Sequence, residues 1–172
     1  MDIFCMKESE GCRQESVRMM TLKLHELGMQ ITFPEGFFPM EKEKKDRIYP
    51  WAEQPDVIWE NNCGVQITGQ VTEQKVKAED FYSAVQSFRS LTETTFPDCS
   101  VSPVHFDERG ELSIGWFKME LANRELEHMK ALSIIGDRMV ILTFTYPVAE
   151  SLKWRSILRY SLGTWRECYG QS

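Results

Sequence analysis

Apolar and polar residues alternate along much of the chain, and the alternation is clearest between residues 101 and 147. An alternation with a period of two predicts β-strands, because successive side chains of a strand point to opposite faces. Gly136 and Asp137 lie between two apolar runs, which is the composition of a two-residue hairpin loop. Residues 107–110 and 122–124 have the composition of two further turns. The stretch therefore predicts a meander of four consecutive antiparallel strands.

The predicted strand over 112–121 carries apolar side chains on both of its faces: Leu112, Ile114, Trp116, Phe117, Met119 and Leu121. Two interpretations follow. Either a bulge near Trp116 and Phe117 shifts the parity, or the sheet is covered on both faces. The strand over 139–146 favours the second interpretation, since neither of its faces is strongly polar.

The first half of the chain also predicts strands. Residues 20–33 alternate around Gly28, and they form either a hairpin of two short strands or one bent strand. Residues 57–59 and 65–71 predict two more strands, and residues 61–64 have the composition of a hairpin loop between them.

Two stretches have the helical period. Between 78 and 95 one face carries Phe81, Ala84, Val85, Phe88, Leu91 and Thr92. After Pro147 one face carries Trp154, Ile157, Leu158, Ser161, Leu162 and Trp165. Both helices are expected to dock on the sheet, on the same face or on opposite faces. The order of elements predicts an α+β fold, an antiparallel sheet with a C-terminal four-stranded meander flanked by two main amphipathic helices.

The length of 172 residues and the apolar share of 42% predict one globular domain with a substantial core. Residues 1–16 are polar and lack an apolar period, so we expect a flexible N-terminal tail followed by a domain over 17–172.

Charge and cysteine usage exclude several classes of function. A net charge of −6 argues against a nucleic-acid binder, because affinity for phosphates requires a positive surface. The N-terminus lacks the features of a secretory signal, and no apolar run is long enough to span a bilayer, so we expect a soluble, cytoplasmic protein that binds no membrane. The 5 cysteines include no Cys-x-x-Cys pair, so we expect reduced thiols and no metal or cofactor.

A resemblance to a known family rests on residues 33–37 (Phe-Pro-Glu-Gly-Phe), residues 48–50 (Ile-Tyr-Pro) and residues 54–59. These segments resemble a family of small, uncharacterised bacterial proteins, in which a P-x-G-F/W turn precedes a YP…RP segment that leads into a strand. Gln54 stands where that family has arginine. The resemblance covers about residues 29–165. It implies a PsbP-like α/β/α sandwich, the fold of an extrinsic photosystem II subunit and of a Ran-binding nuclear import factor, and most known members of that group act by binding other proteins.

The connection over residues 37–55 and the strand that follows it carry the candidate binding residues Phe38, Tyr49, Trp51 and Trp59. Aromatic side chains are enriched in binding hot spots, and irregular connections often carry function. A long connection must also be anchored, so packing of the same aromatics on the sheet is the simpler interpretation of these residues. We predict a non-enzymatic binding or accessory protein whose partner is another protein.

Several alternatives remain open. One is a small-molecule binding protein with a pocket between the sheet and the 37–55 connection. Another is a metal-dependent or hydrolytic enzyme that uses His105, Asp107 and Glu108, although a solvated strand end explains these residues more simply. The cationic side of the final helix, with Lys153, Arg155 and Arg159, is a further candidate that would dock an acidic partner, although such residues are more often a solvated helix face. The oligomeric state is either a monomer or a dimer that pairs through an edge strand.

Overall fold

The computed structural model describes residues 3–5, 16–50, 53–121 and 125–168, so the turn expected at 122–124 lies outside the described residues. In chain order the strands are β1 (Ile3–Cys5), β2 (Ser16–Leu24), β3 (Met29–Pro34), β4 (Phe38–Pro39), β5 (Val57–Glu60), β6 (Gln66–Lys75), β7 (Cys99–Val101), β8 (His105–Asp107), β9 (Ile114–Leu121), β10 (Leu126–Ile135), β11 (Arg138–Pro147) and β12 (Arg166–Glu167). The α-helices are α1 (Lys42–Ile48), α2 (Phe81–Thr95) and α3 (Ser151–Leu162).

The strands form two antiparallel sheets. The small sheet has the order β1-β2-β3-β12, and the large sheet has the order β4-β5-β6-β11-β10-β9-β7, with β8 also paired to β9. The predicted α+β fold with an antiparallel sheet is therefore confirmed.

The predicted meander is present, with one difference in its first strand. Strands β9, β10 and β11 pair consecutively, and Gly136 adopts a φ of 64° in the two-residue loop between β10 and β11. The expected first strand is divided into β7 and β8, which both pair with β9. Pro103 lies between them and has no N–H to donate to the ladder. The backbone N–H and the hydroxyl of Ser102 instead bond to the backbone of Lys118, each at 2.9 Å.

The first half contains the two expected hairpins. Leu24 pairs with Met29 across a 3-10 turn, and Gly28 ends that turn with a φ of 66°, so residues 20–33 form a hairpin and not one bent strand. Strands β5 and β6 form the second hairpin. The side-chain oxygen of Asn61 accepts hydrogen bonds from within the loop, including one of 2.9 Å from the N–H of Val65.

The large sheet is covered on both faces. Strand β9 pairs residue for residue with β10 from Gly115 to Glu120, so the expected alternative of a bulge near Trp116 is wrong. On β11, Leu142 belongs to one buried cluster, whereas its neighbour Ile141 belongs to a second cluster on the opposite face. This double coverage explains why neither face of β9 or β11 is strongly polar in the sequence.

The first core lies between the large sheet, the small sheet and α3. All six residues of the predicted stripe are buried: Trp154, Ile157, Leu158, Ser161, Leu162 and Trp165. The helix ends at Leu162, however, so Trp165 reaches this core from the segment that follows α3. The turn between β2 and β3 packs closely on β6 at Gly69, where an added Cβ would lie 2.4 Å from Leu27 Cδ1. The absence of a side chain at Gly69 therefore allows the two sheets to approach each other.

The second core lies under α2, on the opposite face of the large sheet. Phe81 and Val85 pack with Phe117 and other residues of that face. The prediction that Leu91 joins this face is wrong, because Leu91 is 60% exposed. Thr92, about 100° further around the helix, is the buried residue of that turn. Helices α2 and α3 thus lie on opposite faces, which answers the question that the sequence left open.

The N-terminal region is described in part. Residues Ile3–Cys5 form β1 and pair with residues 16–18 of β2, so this part of the expected tail is a strand. The division into a tail over 1–16 and a domain over 17–172 stays a prediction. Among the described residues, no helix is long and apolar enough to cross a bilayer.

Candidate functional site

The connection from β4 through α1 to β5 is anchored at its start by two buried apolar residues, Phe37 and Met40. The ring of Phe37 packs edge-to-face on Phe33, with a centroid distance of 4.7 Å, and on Trp154 of α3, with a centroid distance of 6.1 Å. Phe37 therefore ties the start of the connection to the first core.

Helix α1 has no buried side chain, so polar bonds must position it. Lys44 Nζ lies 2.9 and 2.8 Å from the two carboxylate oxygens of Glu60, which is only 8% exposed. Further along, Gln54 Nε2 donates to the carbonyl of Tyr49 at 2.6 Å. The Asp56 carboxylate accepts from the N–H of Val71 at 2.7 Å.

The structure describes three of the four predicted binding residues and does not bring these three onto one face. Phe38 is 41% exposed on the short edge strand β4, and Tyr49 is half-buried where α1 ends, where burial raises its pKa. Trp59 is partly buried and packs on the first core. Phe38 pairs with Glu60 and the next residue pairs with Trp59, so Phe38 and Trp59 lie on opposite faces of the sheet. Trp51 lies outside the described residues.

A polar strip on the α2 side of the large sheet was not predicted. Cross-strand pairing aligns its members in two rows, formed by His128, Thr145 and Gln66 and by Lys130, Thr143 and Thr68. The first row continues to Glu60 of β5. The strip borders the second core, since Lys130 pairs with Phe117 of that core, and at its other end Lys44 of α1 bonds to Glu60.

Two hydrogen bonds join the strands within the strip. His128 Nδ1 lies 2.8 Å from Thr145 Oγ1, and Lys130 Nζ donates to Thr143 Oγ1 at 3.1 Å. In the sequence, Thr143 and Thr145 alternate with buried residues of β11, as His128 and Lys130 alternate with buried residues of β10. That alternation was a usable signal for the strip, but the strand register is needed to show that the two polar sets face each other.

The residues of the possible enzyme site, His105, Asp107 and Glu108, have separate partners. The ring of His105 stacks on Trp116 with a centroid distance of 4.5 Å. Asp107 accepts from Arg109 Nε at 2.9 Å, a hydrogen bond that lowers the pKa of the Asp107 carboxyl, and Glu108 accepts from the Tyr82 hydroxyl. Among the described residues, no three potential metal ligands come together.

The prediction of a solvated cationic face on α3 is wrong for Arg155. Arg155 Nη2 lies 2.5 Å from the carboxylate of Glu127, which is fully buried on β10. A buried carboxylate requires a cation and hydrogen-bond donors, so Arg155 is used to dock α3 on the sheet. It is therefore not free for an acidic partner.

Comparison with known proteins identifies the fold. No protein-family model and no curated protein matches the sequence. Among solved structures, the chain is similar to the solution structure of cyanobacterial PsbP (CyanoP) from Synechocystis sp. PCC 6803, with a TM-score of 0.61 over 94% of this chain and 97% of that chain. The sequence identity is 6%, so the similarity shows the fold alone. The chain therefore has the PsbP-like α+β fold that its sequence motifs implied.

Proposed function

We propose that this chain is a non-enzymatic binding protein, and that its partner is another protein that contacts Phe38, Ile48 and Tyr49 of the 37–55 connection, together called the edge surface. The carrying observation is that Phe38 and Ile48 are each 41% exposed on a connection that is already anchored by other residues. Aromatic side chains are enriched among the hot-spot residues of interfaces, and contiguous exposed apolar patches mark interaction sites.

The anchoring function belongs to different residues of the connection. Phe37 packs on the first core, and Lys44 bonds to Glu60. Phe38 is therefore not needed to hold the connection in place. Exposure of its apolar surface to water is unfavourable, and a partner would bury that surface. Binding is therefore a better interpretation of Phe38 than anchoring.

Site-specific photo-crosslinking tests the proposal. A photoreactive phenylalanine analogue replaces Phe38 in the full chain, and the matched control carries it at Leu152, which is 77% exposed at the start of α3. We expect a crosslinked protein of defined mass at position 38 and not at position 152. Unlabelled wild-type chain should compete for the crosslink, whereas Phe38→Ala should not. Equal crosslinking at both positions, or equal competition by Phe38→Ala, would contradict the proposal.

A small-molecule binding protein is the second candidate function. The polar strip supports it, because a few convergent polar groups on a partly covered sheet face are typical of a ligand site. The strip extends towards the 37–55 connection, where the sequence predicted a pocket. Native mass spectrometry of the purified chain tests this candidate: a retained mass of a few hundred daltons supports it, and a bare chain that gains no mass from added small molecules contradicts it.

A further inference from the structure

Lys130 occupies the centre of the polar strip, and the described residues give it no charged partner. It lies opposite Phe117 on β9 and opposite Thr143 on β11, and Thr68 of β6 continues the row. On its own strand, His128 and Leu132 are the neighbours on the same face. None of these neighbours is acidic.

No carboxylate among the described residues lies within ion-pairing distance of the Lys130 ammonium group, which donates a hydrogen bond to the Thr143 hydroxyl. In the two rows of the strip the carboxylate is that of Glu60, which lies three strands away and in the other row, more than about 14 Å from Lys130. Glu60 is already bonded to Lys44. A partly buried ammonium without a counter-ion is unfavourable, and burial accordingly lowers the pKa of Lys130.

The groups around Lys130 can donate several hydrogen bonds to one acceptor. An ammonium group has three N–H donors, and one of them is used by Thr143. The Thr143 hydroxyl accepts that bond, so its own proton is available to another acceptor. Thr68, which pairs with Thr143 in the same row, adds a second hydroxyl on this face of the sheet. Carboxylate and phosphate oxygens are the acceptors that form the strongest bonds with such a set.

We infer that the polar strip binds a small molecule through an oxyanion, a carboxylate or a phosphate group, which accepts hydrogen bonds from Lys130 and Thr143. The inference names the ligand class for the second candidate function and rests on that candidate. It does not depend on the edge surface. The ligand supplies the negative charge that the described residues around Lys130 lack.

Lysine-resolved NMR on the full chain tests the inference. Expression with ¹³C,¹⁵N-labelled lysine leaves every N–H donor in place, and the loss of one side-chain Cε–Nζ signal in Lys130→Met assigns Lys130. Sodium phosphate and sodium acetate are titrated separately against a constant ionic strength of sodium chloride. We expect at least one of them to shift the Lys130 signal saturably and to raise the pKa of Lys130. A response to phosphate alone, to acetate alone or to both identifies the source of the oxyanion.

The control is Lys23→Met, which removes an exposed lysine of β2 on the small sheet. Calorimetric titration should show binding at least about tenfold weaker in Lys130→Met than in Lys23→Met, since a bond to a charged group is lost. Thermal unfolding should show that phosphate or acetate stabilises the wild type and Lys23→Met but not Lys130→Met.

Two results would overturn the inference: a Lys130 signal that moves only as the other lysine signals move, or equal anion binding by both variants. Phe38→Ala should bind the anion normally, so a failed crosslinking experiment leaves this test intact. A retained ligand that neither carries an oxyanion nor shifts the Lys130 signal would preserve the second candidate function and reject this site.

Discussion

At the scale of single residues, Phe37 and Phe38 show how position at the start of the short edge strand β4 decides whether a side chain is an anchor or is exposed. Both are phenylalanines at the start of the same connection, yet Phe37 is buried against Phe33 and Trp154, whereas Phe38 is 41% exposed. Successive residues of an extended segment point in opposite directions, so only one of the pair can reach the first core. The sequence shows that aromatics are concentrated here, but it does not show which of them is the anchor.

This difference in burial predicts a large effect on stability at Phe37 and a small effect at Phe38. Phe37→Ala should lower the free energy of unfolding by about 3–5 kcal/mol, because it removes a buried aromatic ring and leaves a cavity. Phe38→Ala should change it by less than about 1 kcal/mol, as is usual for an exposed position. Urea unfolding of the two variants measures both values. If Phe38→Ala were as destabilising as Phe37→Ala, Phe38 would be an anchor and the edge surface would lose its central residue.

At the scale of elements, the docking of α3 depends on a polar bond inside the first core as well as on its apolar stripe. Burial raises the pKa of the Glu127 carboxyl, but the hydrogen bond from Arg155 and the positive charges of Arg155 and Lys118 outweigh it, so the pKa is lower than usual. The carboxylate therefore stays ionised and holds Arg155. Neither residue of this pair, 28 positions apart in the chain, was predictable from local periodicity.

The variant Glu127→Gln should lower the free energy of unfolding at neutral pH by about 2–3 kcal/mol, because it removes a charged acceptor and leaves Arg155 without its buried partner. Glu120→Gln is the matched control, since Glu120 is half-exposed and its carboxylate lies 3.6 Å from the same Arg155 Nη2. We expect that change to cost under about 1 kcal/mol. Equal losses in the two variants would show that burial of Glu127 adds nothing to the docking of α3.

The same pair predicts a pH dependence. Because the folded-state pKa of Glu127 is lowered, its contribution to stability is complete above the ordinary carboxyl value of 4.5 and is lost as the pH falls through the lower folded value. The stability difference between wild type and Glu127→Gln should therefore be largest near pH 7 and shrink below about pH 4. Urea unfolding across this range measures it, and a difference that grows in acid would contradict the assignment.

At the scale of the whole molecule, one core joins both sheets. Leu22 and Ile31 of the small sheet, Phe144 of the large sheet and Ile157 of α3 belong to the same buried cluster. Neither sheet can keep its apolar face covered without the other, so we expect the domain to unfold as one unit. Trp165, which follows α3, is buried in this core, so its fluorescence shows whether the core is folded.

Urea unfolding should consequently give one transition, with the same midpoint by tryptophan fluorescence and by far-ultraviolet circular dichroism. The small sheet alone, expressed as a fragment, should not show the circular dichroism of folded strands, since a few short strands without a covered face are not stable. Two separate transitions in the full chain would show that the sheets are independent units and would also divide the predicted domain over 17–172.

The sequence by itself determined which faces of the elements are apolar. The stripe of α3, the loop at Gly136 and the double coverage of β9 all follow from local periodicity and turn chemistry, which neighbouring residues encode directly. The two expectations about these elements that proved wrong also have local causes. Leu91 has the helical period of α2 but lies at the edge of its buried face, and Pro103 divides a strand that its flanking residues favour.

Only the tertiary structure decided how these faces meet. It placed α2 and α3 on opposite sides of the large sheet, aligned Lys130 with Thr143, and brought Arg155 to Glu127. It also left Phe38 exposed beside a buried Phe37. Strand register and the choice of sheet face depend on contacts between residues far apart in the chain, and no local pattern contains them. The candidate sites lie in these contacts, which is why the sequence predicted the fold of this protein more fully than its binding surfaces.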